Sequence, residues 1–101
     1  MRLVFAVVPP AQVDAVRQAL ASVQVTRLTI CDAQGYDEAS GRLVQQACVE
    51  IAVNDDFVDR TVSTIVAAIS IPGVQRAGQV FVMPMDEAVE IRGAVRGAEA
   101  V

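Results

Sequence analysis

The sequence predicts an α+β domain in which two helices cover one face of a four-stranded antiparallel sheet. Three observations carry this expectation. Short runs rich in Val, Ile and Leu alternate with longer stretches whose apolar residues recur every three or four positions. The segments follow the order strand–helix–strand, then strand–helix–strand again. The two halves also echo each other: Phe5-Ala6-Val7 followed by Val13-Asp14 parallels Ile51-Ala52-Val53 followed by Val58-Asp59. Such a split repeat is the ferredoxin-like plan.

Each element has its own justification. Leu3 to Val8 is apolar at every position, as expected of a strand buried on both faces. Pro9-Pro10 ends it, and a proline suits the first turn of a helix. Val13, Val16, Leu20 and Val23 then mark an amphipathic helix. A second strand falls within Val25 to Ala33, with Leu28 and Ile30 on one face and Thr29 and Cys31 on the other. Residues 34–46 combine turn residues with a weak apolar signal and read as a hairpin connection with frayed strand ends. Ala47 to Val53 is the third strand, with Val49, Ile51 and Val53 sharing a face. Asn54-Asp55-Asp56 offers a helix cap and acidic residues at a positive helix end. Val58, Val62, Ile65 and Ile69 form the second helical stripe. Pro72-Gly73 breaks that helix, Gln79 to Met83 makes the fourth strand, and Asp86-Glu87 opens a short helical turn after Pro84.

The apolar residues of strands two and three must share one face, so even positions of one oppose odd positions of the other. A two-residue turn at Ala39-Ser40 satisfies this and sets Cys31 directly opposite Cys48; a turn one pair later separates them. Reduced thiols on the uncovered face are the expected state. A cross-strand disulfide or a soft-metal pair is the alternative, although two ligands fall short of the four that zinc takes.

Composition bounds the function. A chain of 101 residues holds one domain, and 53% hydrophobic content exceeds what so small an interior can hide. The helices cover one sheet face only, yet strand one is apolar on both. Both points predict an obligate oligomer. The net charge is −4, there is no histidine, and all eight basic residues are arginines. Without lysine there is no Schiff base and no Walker-type phosphate lysine; without histidine the usual general base is missing. No nucleophile–base pair is visible, so catalytic residues, metal ligands and bound cofactors are not expected. The arginines are scattered rather than clustered, which excludes a nucleic-acid face. No apolar run reaches the roughly 18–20 residues of a membrane span, and the apolar start is too short for a signal segment. A cytoplasmic protein is expected, with residues 1–92 folded and 93–101 a flexible tail.

Three segments together resemble the PII family of signal-transduction proteins. R-L-V-F-A-V-V-P-P-A-Q-V-D-A-V-R-Q-A-L is similar to the family's first strand and helix. L-T-I-C-D-A-Q-G-Y and V-E-I-A-V-N-D-D-F-V-D are similar to its central strands and second helix start. The closing G-Q-V-F-V-M-P-M-D-E-A-V-E-I-R is the most specific match. The resemblance implies a homotrimer with an adenine nucleotide in each inter-subunit cleft and a loop between strands two and three that meets a regulated partner protein. By position, Thr29, Gly35 and Ala52 would border the base, Gly78 would offer its amide to phosphate, and Arg92 would pair with phosphate, assisted by Arg96. The departures are as telling. The loop is cut short, and it lacks the family's modified tyrosine, since Tyr36 matches an aromatic position before it. Gln79 stands where the family has a lysine and Glu90 where it has the first of two arginines; Arg76 restores one charge. The resemblance therefore implies AMP or ADP rather than ATP, with bicarbonate as the other ligand, as in short-loop relatives associated with carboxysomes and bicarbonate handling. The regulated partner is left open by the sequence, a membrane transporter being one candidate. The competing expectation is an interaction trimer that has lost its nucleotide and docks a transporter or efflux system.

Overall fold

Backbone pairing around the first strand organises the computed structural model, which describes residues 1–69 and 78–101. The strands are β1 (Arg2–Val8), β2 (Thr29–Asp37), β3 (Arg42–Val53) and β4 (Gln79–Pro84). They form one sheet in the order β2-β3-β1-β4, every neighbouring pair antiparallel. Helices α1 (Val13–Ser22) and α2 (Val58–Ile69) pack on one face, so the α+β ferredoxin-like architecture expected from the split repeat is the observed one. The pattern of apolar residues explains why. Val4, Ala6 and Val8 of β1, with Ala47, Val49, Ile51 and Val53 of β3, point to the helices and are buried. Val16 and Leu20 of α1 and Ile65 and Ile69 of α2 close over them. Thr61 is the one polar side chain buried there among the described residues, and its hydroxyl donates to the Phe57 carbonyl at 2.7 Å. That back-bond satisfies the hydroxyl with the turn that leads into α2.

Several boundaries differ from the sequence expectation for physical reasons. β2 starts at Thr29, inside the expected Val25–Ala33 window, but runs on to Asp37, while Val25 joins the core instead. The larger difference is the hairpin. Residues expected as a frayed connection are regular strand, with Gln34–Asp37 paired against Arg42–Gln45 and only 38–41 turning. Gly41 takes φ +67° to close the turn, and its amide donates to the Asp37 carbonyl at 2.8 Å. Backbone ladders need no apolar side chains. A ribbon that projects into solvent therefore loses the alternation by which strands are recognised. The expected register holds: Ile30 faces Val49 and Cys31 faces Cys48.

Two end-of-helix expectations are corrected. Asn54 makes no side-chain cap; its amide donates to the Ala98 carbonyl at 3.1 Å, tying the chain's last residues to the start of α2. Asp86-Glu87 does not open a helical turn. The segment doubles back as a narrow antiparallel bridge between Val89 and Arg96, with Glu90 donating to Val95 at 2.7 Å and Gly97 to Ala88 at 2.9 Å. The break expected at Pro72-Gly73 lies outside the described residues. Among those described, no helix is long and apolar enough to cross a membrane.

Met1 is anchored at the sheet's end, its ammonium 2.8 Å from Asp55 Oδ1. The hydrogen bond from that ammonium, then its charge, and more weakly Arg2, hold the Asp55 carboxyl below its ordinary pKa. A depressed acid stabilises the fold above the unfolded carboxylate pKa and ceases to as pH falls through the folded one. Asp55→Asn should therefore lower the melting temperature slightly near neutral pH and leave it unchanged in strong acid, as calorimetry across pH can read. Ile65→Ala should cost about 2–5 kcal/mol in urea unfolding, because a fully buried side chain leaves a cavity between α2 and the sheet.

Candidate functional site

The face opposite the helices is a grid set by the register. One row runs Thr29, Glu50, Phe5 and Phe81 across the four strands. The next row runs Cys31, Cys48, Val7 and Gln79, and on the other side lie Ala52, Leu3 and Met83. Phe5 and Phe81 lie side by side with ring centroids 6.4 Å apart. No helix covers this face, and Phe81 and Met83 are exposed on it.

Where the hairpin leaves the body of the sheet it overhangs a cavity of about 730 Å³. Val7 to Pro9 form one wall, Gly78 and Gln79 another, and the hairpin contributes Tyr36, Asp37 and Val44 to Gln46. That volume is in the range of small-molecule sites. Its lining carries the carboxylate of Asp37 and, among the described residues, no cation. Gly78 is there because nothing larger fits. Its φ is +135°, and a Cβ would overlap the Val7 carbonyl oxygen, so glycine lets the entry to β4 lie against the end of β1. At Gly35 a Cβ would collide with the side-chain amide of Gln46, which lies across it.

The sequence-chosen residues fall in three places. Gly78 and Gln79 line the cavity, and Gly35 sits beside it on the hairpin under Gln46. Thr29 and Ala52 lie toward the opposite end of the sheet; Ala52 borders a smaller hollow of about 160 Å³ with Arg27, Phe57 and Val101. Thr29 and Gly35 are six positions apart on one strand, a separation of about 20 Å. Arg92 stands in the tight turn after Val89, exposed and with no ion-pair partner among the described residues. Arg96 is engaged across the same bridge, its guanidinium 2.6 Å from Glu87 Oε1. Arg76 lies outside the described residues. Sequence reasoning left out Tyr36, Asp37 and Gln46 as cavity residues. Extending the Cys31–Cys48 register outward would have found Gln46, since it places that residue opposite Ala33 and beside Gly35. Among the described residues, no group of three acidic, cysteine or histidine side chains is arranged to hold a metal ion.

Fold and site together define a ferredoxin-like domain with a hairpin overhanging a cavity at the start of β4 and an arginine-bearing turn beyond it. Residues 1–94 match the pattern of the family described as nitrogen regulatory protein P-II, and the chain belongs to that family of regulatory signal-transduction proteins. It is 32% identical to the nitrogen regulatory protein GlnK1 of Methanosarcina mazei, over all of this chain and 97% of that protein. It is 31% identical to the nitrogen regulatory protein P-II of Rhizobium etli over the full length of both. The crystal structure of Arabidopsis thaliana PII bound to citrate superposes with a TM-score of 0.90 at 27% identity, covering 99% of this chain and 91% of that one. The alignment to the Methanosarcina protein spans 114 positions against 101 residues here, so that relative carries residues this chain lacks.

The two positive-φ glycines flanking the hairpin and β4 give a test of the close approach at Gly78. Gly41→Ala meets open space and should cost about 1–2 kcal/mol for its left-handed backbone alone. Gly78→Ala should cost more than Gly41→Ala in the same urea titrations, because it must also part β1 from the entry to β4.

Proposed function

We propose that the protein is a trimeric PII-family regulator that senses an adenine nucleotide in the clefts between subunits, taking AMP or ADP in preference to ATP. The observation that carries this reading is the division of the site. The cavity, with Gly35, Gly78 and Gln79, lies toward one end of the uncovered face, while Thr29 and Ala52 lie toward the other. Arg92 is held in a separate turn that does not line the cavity. About 20 Å along β2 is too far for Thr29 and Gly35 of one chain to border one base. Two chains packed through the uncovered face bring the ends of different subunits together, and Leu3, Phe5, Val7, Phe81 and Met83 supply the apolar surface for that packing. The site is then complete only in the assembly.

The preference for fewer phosphates follows from charge. Asp37 lines the cavity, Gln79 brings no charge and Glu90 brings a negative one to the turn before Arg92. Charge-assisted hydrogen bonds are worth about 1.5–3 kcal/mol each, so every missing cation weighs most against a triphosphate. Citrate bound to the Arabidopsis relative is a small polyanion, which agrees with an anion-binding role; bicarbonate, a smaller monoanion, is the other ligand of this reading. The projecting hairpin, with Tyr36 70% and Leu43 64% exposed at facing positions, is the part offered to a partner, for which a membrane transporter is the leading class.

The lack of a cation among the described cavity residues favours one competing reading, an interaction trimer without a nucleotide. A thermal-shift panel of AMP, ADP, ATP and bicarbonate separates the two, since a protein with no site shifts with none of them. On the sensor reading, Arg92→Ala weakens ADP binding at least several-fold in calorimetry. Unchanged affinity removes Arg92 from the site.

A further inference from the structure

We propose that Cys31 and Cys48 form a reversible disulfide that clamps the base of the hairpin. Both cysteines are free thiols, and nothing in the nucleotide reading uses them. In the antiparallel register each cysteine is the other's direct partner. Directly opposed residues have Cα atoms about 4.5 or 5.5 Å apart, depending on which type of pair they form. Both values fall inside the roughly 4.4–6.8 Å that a disulfide spans, so the bridge needs no change of register. Side chains at such a pair leave the sheet on the same side. Here that is the uncovered face; in the single chain Cys31 is exposed on the edge strand and Cys48 half-buried beside it, and Cys31 lies between Thr29 and Gly35, which the proposed assembly leaves open to a ligand. A metal is the weaker occupant, since no third ligand is arranged around the two sulfurs among the described residues.

The oxidant is a small disulfide such as glutathione disulfide. The thiolate of exposed Cys31 attacks one of its sulfurs, forming a mixed disulfide and expelling one glutathione thiolate. The Cys48 thiolate then attacks Cys31 Sγ and expels the second. Two protein thiols are oxidised by two electrons, one small disulfide is reduced to two thiols, and the protons go with the leaving groups.

The position gives the bridge something to act on. Cys48 is paired with Val7 on its other side, and Gln46 lies two residues farther along the same face. Both line the cavity. A covalent link in that row removes the freedom of β2 and β3 to shear or part beneath the hairpin. Oxidation should therefore stiffen the hairpin outward from this point.

The test uses the intact assembled protein equilibrated in glutathione buffers running from fully reducing to fully oxidising. After acid quenching and alkylation, the expected product is a protein lighter by two hydrogens, with Cys31 and Cys48 in one linked peptide pair and full reversal by dithiothreitol. The amides of residues 32–47 should then exchange at least several-fold more slowly than in the reduced form. Cys31→Ser and Cys48→Ser each abolish the product, and the wild-type titration stands alone should either variant fail to fold. Thiols that remain alkylatable in every buffer, a product that stops at a glutathione adduct, or disulfides that link separate chains would each overturn the proposal.

Discussion

The pairing of β1 with β3 on one side and β4 on the other fixes the orientation of almost every side chain that matters. Val4, Ala6 and Val8 point into the helical layer, so Leu3, Phe5 and Val7 must point away from it. A slip of one residue between β1 and β3 would exchange the two sets and bury polar groups of β3 such as Glu50. The same ladders carry the alternation outward to β2 and to the hairpin. Core, uncovered face and cavity wall are therefore consequences of one register.

The uncovered face makes physical sense only as a surface that meets other copies. Phe5, Phe81, Leu3 and Met83 lie in adjoining rows without a helix over them, and a small domain gains little by leaving such rings in water. Covering that face brings together ends of the sheet that no single chain can join. On the proposed reading, a ligand held between those ends would link occupancy to assembly, and both to the hairpins that stand clear of the body.

Much of this was legible in the residues. The all-apolar run of β1, the helical stripes and the facing rule for β2 and β3 each express a burial requirement, and burial is what sequence periodicity records. The Cys31–Cys48 register is one of those that rule allows, and the position of the turn selects it. The outer hairpin did not, because solvent surrounds both of its faces and backbone hydrogen bonds leave no mark on side-chain choice. Asn54 was read as a cap because asparagine before acidic residues usually is one; a tertiary partner, the Ala98 carbonyl, claimed its amide instead. The acidic Asp86-Glu87 pair looked like a helix start for the same local reason, while Glu87 in fact answers a cation nine residues away. The cavity was only half visible, since Gly78 and Gln79 stood out in the sequence and Gln46 needed the register.

The narrow bridge between Val89 and Arg96 has a thermodynamic consequence. The Met85 amide is bonded to the Met1 carbonyl before it, and the Ala98 carbonyl accepts from Asn54 after it. The turn that carries Arg92 is thus a closed loop rather than a loose end. A segment tethered at both sides has already surrendered most of its conformational entropy. Drawing Arg92 onto an anion then asks for a change of side-chain rotamer and a small hinge movement, not for the ordering of a disordered chain. Affinity at such a turn would be limited by charge more than by the cost of folding.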